Sequence, residues 1–175
     1  MYNCYINDYY SEGGVVLFKI GDYIAHPMHG AGIIEGIVSK KINGAERDYY
    51  VLKLPVGDMV VMVPVEGCEN IGVRNIISGA EAKKVIDSFS ELDICMTQNW
   101  NKRYRENMDK LKSGNLLEVA SVVKGLMCRD NERGLSTGER KMLHSAKQIL
   151  ISELVIAMNV NYEQIEKELY ASIYK

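Results

Sequence analysis

The sequence predicts an α+β protein of two domains, a small N-terminal β-barrel of about five strands and a compact C-terminal all-α bundle of about five helices. Three observations predict it. Apolar residues recur with period 2 up to about Val73, and with period 3.6 from about Ser78. Glycine, asparagine and proline also punctuate the first half at about the 8–12-residue spacing of small all-β folds. Residues 1–17 are read as an N-terminal extension, 18–75 as the β domain and 76–175 as the helical domain.

In the β half, Phe18-Lys19-Ile20 opens a strand pattern, and Gly21-Asp22 turns it into Tyr23-Ile24-Ala25. Pro27 ends that strand, because proline has no N–H to donate to a ladder. Gly30 and Gly32 are expected to bracket a tight bend before Ile33-Ile34-Glu35-Gly36-Ile37-Val38. Asn43-Gly44 is a strong hairpin signal, since both residues tolerate positive φ. Tyr49 to Leu54 forms the next strand, Gly57-Asp58 the next turn, and Met59 to Val63 a strand stopped by Pro64. Strands this short and close match an SH3-like or Tudor-like barrel.

In the helical half, Ala82, Val85, Ile86 and Phe89 line one face of a first helix. Thr97 is placed to cap a second, along which Trp100, Tyr104, Met108 and Leu111 form a stripe. Asn115 opens a third, with Leu116, Ala120, Val123 and Met127 inward and Gly134 closing it. Ser136-Thr137-Gly138-Glu139 is a capping box that starts the longest helix, carrying Met142, Leu143, Ala146, Ile149, Leu150, Leu154, Ala157 and Met158. Asn161 starts the last, through Ile165, Leu169 and Ile173.

Met1 to Leu17 is rich in Tyr, Asn and Gly and has no clear period. Two readings stand: a flexible tail, or a true translation start at Leu17, with Glu12-Gly13-Gly14 encoding a ribosome-binding sequence upstream. A native peptide running from Met1 to Leu17, seen by mass spectrometry, excludes the second.

Of the 175 residues, 47% are hydrophobic and 25% charged, a globular composition. No apolar run reaches the roughly 18 residues of a membrane helix. Cys4, Cys68, Cys95 and Cys128 are far apart, with no Cys-x-x-Cys and no secretory signal, so reduced thiols and a cytoplasmic protein are expected. His26 and His29 lie three apart, yet a zinc site needs three or four ligands, so they are read as histidines of a turn. There is no Gly-Lys phosphate-loop dipeptide and no Gly-x-Ser-x-Gly elbow. No enzyme, cofactor, metal or small-molecule substrate is expected.

A formal charge of −2 excludes coating nucleic acid by bulk electrostatics. Charge is nonetheless gathered. From Trp100 to Lys147 eleven cations face six acids, a local +5. Asn99-Trp100-Asn101-Lys102-Arg103-Tyr104-Arg105 joins the only Trp to three cations and a second aromatic, cations for phosphates and a flat ring for bases. A stripe at helical spacing is ordinarily core, and the cations are equally consistent with a solvated face. Trp100 differs in standing at the first turn, where its ring can project past the bundle.

Phe18-Lys19-Ile20-Gly21-Asp22 with His26-Pro27-Met28-His29-Gly30-Ala31-Gly32 resembles the opening of the CarD/CdnL family of bacterial RNA polymerase-binding transcription regulators. Val63-Pro64, Asn99-Trp100 with Arg103-Tyr104-Arg105, and Arg129-Asp130-Asn131-Glu132-Arg133-Gly134-Leu135-Ser136 resemble its later landmarks, so the resemblance runs from Phe18 to about Met158. It implies a Tudor-like domain that binds the polymerase β subunit, and a helical domain that meets promoter DNA in the minor groove at the upstream edge of the bubble, without sequence specificity. On that resemblance Trp100 is a wedge that hinders bubble closure. Lys102, Arg103 and Arg105 are its DNA-contacting neighbours, and Lys141 and Lys147 match a basic face of the long helix more loosely. Lys40, Met62 and Pro64 match polymerase-interface positions, with Met62 standing where some relatives carry arginine, which favours an apolar contact over a salt bridge. Two rival readings are a protein-interaction adaptor whose bundle meets no DNA, and a piece related to the transcription-repair coupling factor, which shares the barrel. The missing helicase phosphate loop weakens the latter.

Overall fold

The computed structural model describes residues 17–55, 59–94 and 96–173. The expected extension up to Val16 and the Gly57-Asp58 turn lie outside the described residues. Among these, five strands precede five helices: β1 (Tyr23–His26), β2 (Gly30–Ile42), β3 (Ala45–Lys53), β4 (Val60–Pro64), β5 (Arg74–Asn75), α1 (Gly79–Phe89), α2 (Trp100–Lys112), α3 (Leu116–Arg133), α4 (Thr137–Met158) and α5 (Tyr162–Ile173). A short 3-10 turn, Cys68–Ile71, lies before β5.

The strands form one antiparallel sheet in the order β4-β3-β2-β1-β5. The β domain followed by a helical domain is as expected, with the five-stranded sheet not closed: β4 and β5 stand at its opposite edges. The Asn43-Gly44 hairpin is present, with φ of 52° and 85°. Two local expectations change. Phe18 to Ile20 forms no strand. The Phe18 ring is instead buried edge-on against Tyr50, and its N–H donates to the Tyr50 hydroxyl at 3.3 Å. Gly32 lies inside β2 opposite Ile24, not at a bend; a Cβ there would strike the Lys53 carbonyl.

Strand alternation sorts the sheet into two faces. Ile24, Ile34, Tyr50, Leu52 and Val63 point inward and close a core with Leu54, Cys68 and Val73. The pairs Val51–Met62, Tyr49–Pro64 and Val38–Tyr49 point outward.

Each helix starts where a side chain satisfies its first free N–H groups. Ser78 and Glu81 form a capping box on α1, as Ser136 and Glu139 do on α4. Asn115 caps α3, and Asn161 accepts from Gln164 N–H at the start of α5. At α2 the cap is Asn99, two residues beyond the expected Thr97. The helices bury Val119, Ala120, Val123, Leu126, Leu150 and Leu154 among others in a second core, with α4 against α1, α3 and α5.

The halves are docked, not merely joined. α4 lies against β2, where Gly30 (φ 93°) has no room for a Cβ beneath Ser152. Ser152 Oγ accepts from Ala31 N–H at 2.9 Å. Arg74, on β5, grips the buried Glu153 carboxylate of α4 and also donates to the Gly114 carbonyl at 3.0 Å. Ile77 N–H completes the carboxylate's partners at 3.0 Å.

Candidate nucleic-acid interface and docking face

At the N-terminus of α2, Trp100 is the first helical residue and remains 44% exposed. Its ring stacks on Tyr104 with centroids 5.4 Å apart and planes at 23°. Its Nε1–H donates to Ser136 Oγ at 3.2 Å, and its Cζ2 edge lies over Gly138, where a Cβ would meet the ring at 3.4 Å. The indole therefore rests along the first turn of α4 with much of its surface open.

The inward line of α2 is not the expected stripe but Arg103, Asn107 and Leu111. Trp100 and Tyr104 lie on its flank and exposed, Met108 half-buried, Leu111 buried. Arg103, expected to touch phosphate, is only 2% exposed. Its Nε and Nη2 donate to Glu139 Oε1 at 2.9 and 2.7 Å, and its Nη1 to the Thr97 and Gln98 carbonyls at 2.7 and 3.0 Å. Four of its five N–H groups are thus engaged inside the fold and the guanidinium is buried, so Arg103 is not presented to DNA in this arrangement, unlike the expectation for it. Lys147, also expected on the DNA face, folds back onto α5, donating to Glu166 at 3.2 Å and to the Tyr170 hydroxyl at 2.9 Å. Burial opposes its charge, but Tyr170 and Glu166 outweigh that and raise its pKa.

Lys102, Arg105 and Lys141 are exposed. Lys141 is three residues beyond Gly138, hence on the same side of α4 as the indole. Arg133 and Arg140 are exposed too, although neither was named in the sequence as a DNA contact. Arg129 Nε stands 3.1 Å from Glu139 Oε1, an ionic contact without an aligned hydrogen bond. Lys124 donates to the Ser90 and Leu92 carbonyls. The local +5 thus overstates what faces solvent freely: Arg103, Arg129, Lys124 and Lys147 are engaged within the fold.

Lys40, Met62 and Pro64 share the outer face of the sheet. Met62 pairs with Val51 and Pro64 with Tyr49, while Lys40 lies two residues beyond Val38 in the row next to Tyr49. Met62, Val60 and Ile42 are exposed large apolar side chains there, and β4 is an edge strand. His26 and His29 pack ring to ring at 4.6 Å in the β1–β2 turn. Among the described residues no group of three or more His, Cys, Asp or Glu is placed to hold a metal ion.

Comparison with known proteins decides the lineage. Residues 18–77 match the CarD-like/TRCF RID domain and residues 84–170 the CarD C-terminal domain. A Bacillus subtilis (strain 168) protein, YdeB, assigned as a transcription factor, is 36% identical over 150 residues, covering 86% of this chain and 98% of its own. The chain belongs to the CarD family. As a CarD-like protein it is a transcription regulator, and its β half is of the kind that interacts with RNA polymerase. The family is one of transcription factors. Among the described residues no helix is long and apolar enough to cross a membrane.

Proposed function

We propose that this CarD-like protein binds the polymerase β subunit through the outer face and β4 edge of its sheet, and stabilises the promoter open complex by wedging Trp100 at the upstream edge of the bubble. The observation that carries the reading is the exposed indole, seated on the first turn of α4 beside Lys102, Arg105 and Lys141. Unstacking a base step costs a few kcal/mol, roughly, and an inserted ring recovers part of it. Aromatic stacking contributes about 1–3 kcal/mol per base and tolerates any sequence. A ring that meets only melted DNA lowers the open state alone and so shifts the population toward it. The exposed cations hold the flanking phosphates, with affinity set by salt more than by sequence.

The sheet supplies the tether. An edge strand offers unpaired N–H and C=O groups, and apolar side chains on the outer face add area beside them. Met62, Pro64 and Lys40 fall within one such surface. Tethering raises the effective DNA concentration to about the mM scale, so weak DNA contacts suffice. The site of action is then the cytoplasm, where polymerase and promoter DNA meet.

The deciding measurement is the lifetime of open promoter complexes with wild-type and Trp100→Ala protein. Loss of the ring is expected to shorten the lifetime about ten-fold while thermal stability and polymerase binding hold. An unchanged lifetime overturns the wedge. Retention of the β subunit in a pull-down separates this reading from a general adaptor.

A further inference from the structure

The geometry points to Glu139 as the positioning residue for Trp100, an inference that rests on the wedge reading. This carboxylate reaches the indole through Ser136, and it holds both things that place the ring. One oxygen, Oε1, accepts two hydrogen bonds from Arg103. The same guanidinium donates to the Thr97 and Gln98 carbonyls, fixing the backbone that leads into the Asn99 cap and Trp100. The other oxygen, Oε2, accepts from Ser136 N–H at 3.1 Å and from the Ser136 hydroxyl at 2.8 Å. With its proton given to Glu139, that hydroxyl presents a lone pair to Trp100 Nε1–H at 3.2 Å.

The carboxylate's charge is what makes this arrangement work. Burial opposes ionisation, but the Ser136 N–H, Arg103 and the Ser136 hydroxyl together lower its pKa. A neutral glutamic acid would offer a proton to Ser136 instead of taking one, reversing the hydroxyl's orientation and removing the acceptor seen by the indole. Gly138 borders the seat, beneath the Cζ2 edge of the ring. A buried ion pair stabilises a fold no better than well-packed apolar residues of the same volume. Its distinct contribution is to orient groups, here the run-up to α2 and the Ser136 hydroxyl together.

Because Trp100 is the chain's single tryptophan, its fluorescence reports the seat without polymerase. In Glu139→Gln the amide offers N–H where Oε2 accepted, so acrylamide quenching is expected to rise about two-fold and open-complex lifetime to fall about five-fold. Ser136→Ala keeps the buried charges but removes the indole's acceptor together with the hydroxyl's bonds to the Glu139 carboxylate and N–H, so it is expected to give the same changes, smaller, in a protein that still folds with a modestly weakened cap on α4. Ser136→Thr restores them. In a Trp100→Ala background Glu139→Gln should shorten the lifetime no further. Additive loss there, or unchanged quenching in folded Ser136→Ala protein, overturns the assignment. If Trp100→Ala itself leaves the lifetime unaltered, the wedge reading fails, while quenching still tests whether Glu139 seats the ring.

Discussion

On the outer face of the sheet, Met62, Val51, Tyr49, Pro64 and Val38 stand together because strands alternate and the registers of β2, β3 and β4 align them. At the start of α2, Trp100 stands free for another reason. Arg103, Glu139 and Ser136 hold the helix end and the indole N–H from beneath. The first surface is set by period and pairing, with no polar group essential to its shape. The second depends on a buried charge network, and one lost partner leaves the others unpaired in a dry site. The two regions should therefore answer differently to mutation: the sheet face through binding, the wedge seat through stability as well.

The largest expected effect breaks that network. Arg103→Ala leaves Glu139 buried with Arg129 as its only cation, and removing one partner of a buried pair costs about 3–5 kcal/mol. Lys102→Ala and Arg105→Ala, on the exposed side of the same helix, should stay within about 0.5 kcal/mol. Chemical denaturation of the three variants separates the positions. If Arg103→Ala proves as mild as its neighbours, the network does not hold the helix end, and the contrast between the two surfaces disappears.

Arg103 also marks where sequence reading ran out. Periodicity found the helices, and capping chemistry found the starts of α3, α4 and α5, because both depend on residues close in the chain. The hairpin at Asn43-Gly44 was legible for the same reason. The open sheet was not, since whether β4 meets β5 depends on curvature that no local pattern encodes. Within Lys102-Arg103-Tyr104-Arg105 all three cations look alike. The partner that buries Arg103 is Glu139, 36 residues on, which had already been read as half of a capping box. The partners of Lys147 were hidden in the same way, lying on α5. Arg103 falls one turn before Asn107 and two before Leu111, and that line was overlooked because two of its three residues are polar.

The next effect sharpens the comparison from the other side. Met62→Glu places a charge in the outward apolar row on β4, where Met62 is already exposed, so stability should change by less than about 0.5 kcal/mol. Binding to polymerase should weaken about ten-fold or more, as for a charge placed in an apolar contact. Surface-based binding assays with purified polymerase read one quantity and thermal melts the other. A variant that binds normally removes the outer face from the interface, while one that melts early shows that Met62 serves the sheet itself.

The smallest effect lies at the seam between the regions. His26 lines a cavity of about 10 Å³, room for about one water, with Arg74 and Glu153, the pair that docks β5 onto α4. Burial, and then the neighbouring His29, lower its pKa from 6.5 to about 4. A histidine whose folded pKa is depressed binds fewer protons folded than unfolded. Its contribution is therefore fully present above pH 6.5 and is lost as pH falls from 6.5 toward 4. The ring is only half-buried, so solvent screening reduces the effect to about 1 kcal/mol. Melting temperatures between pH 7 and 4.5 should fall more steeply for the wild type than for His26→Asn, which keeps a short polar group without the titration. Protonation next to Arg74 adds positive charge where the docking contact already holds an arginine, so β half and helical half should begin to melt separately at the acid end. A single transition with equal slopes for both proteins would locate the acid sensitivity elsewhere and leave the seam held by Arg74, Glu153 and Ser152 alone.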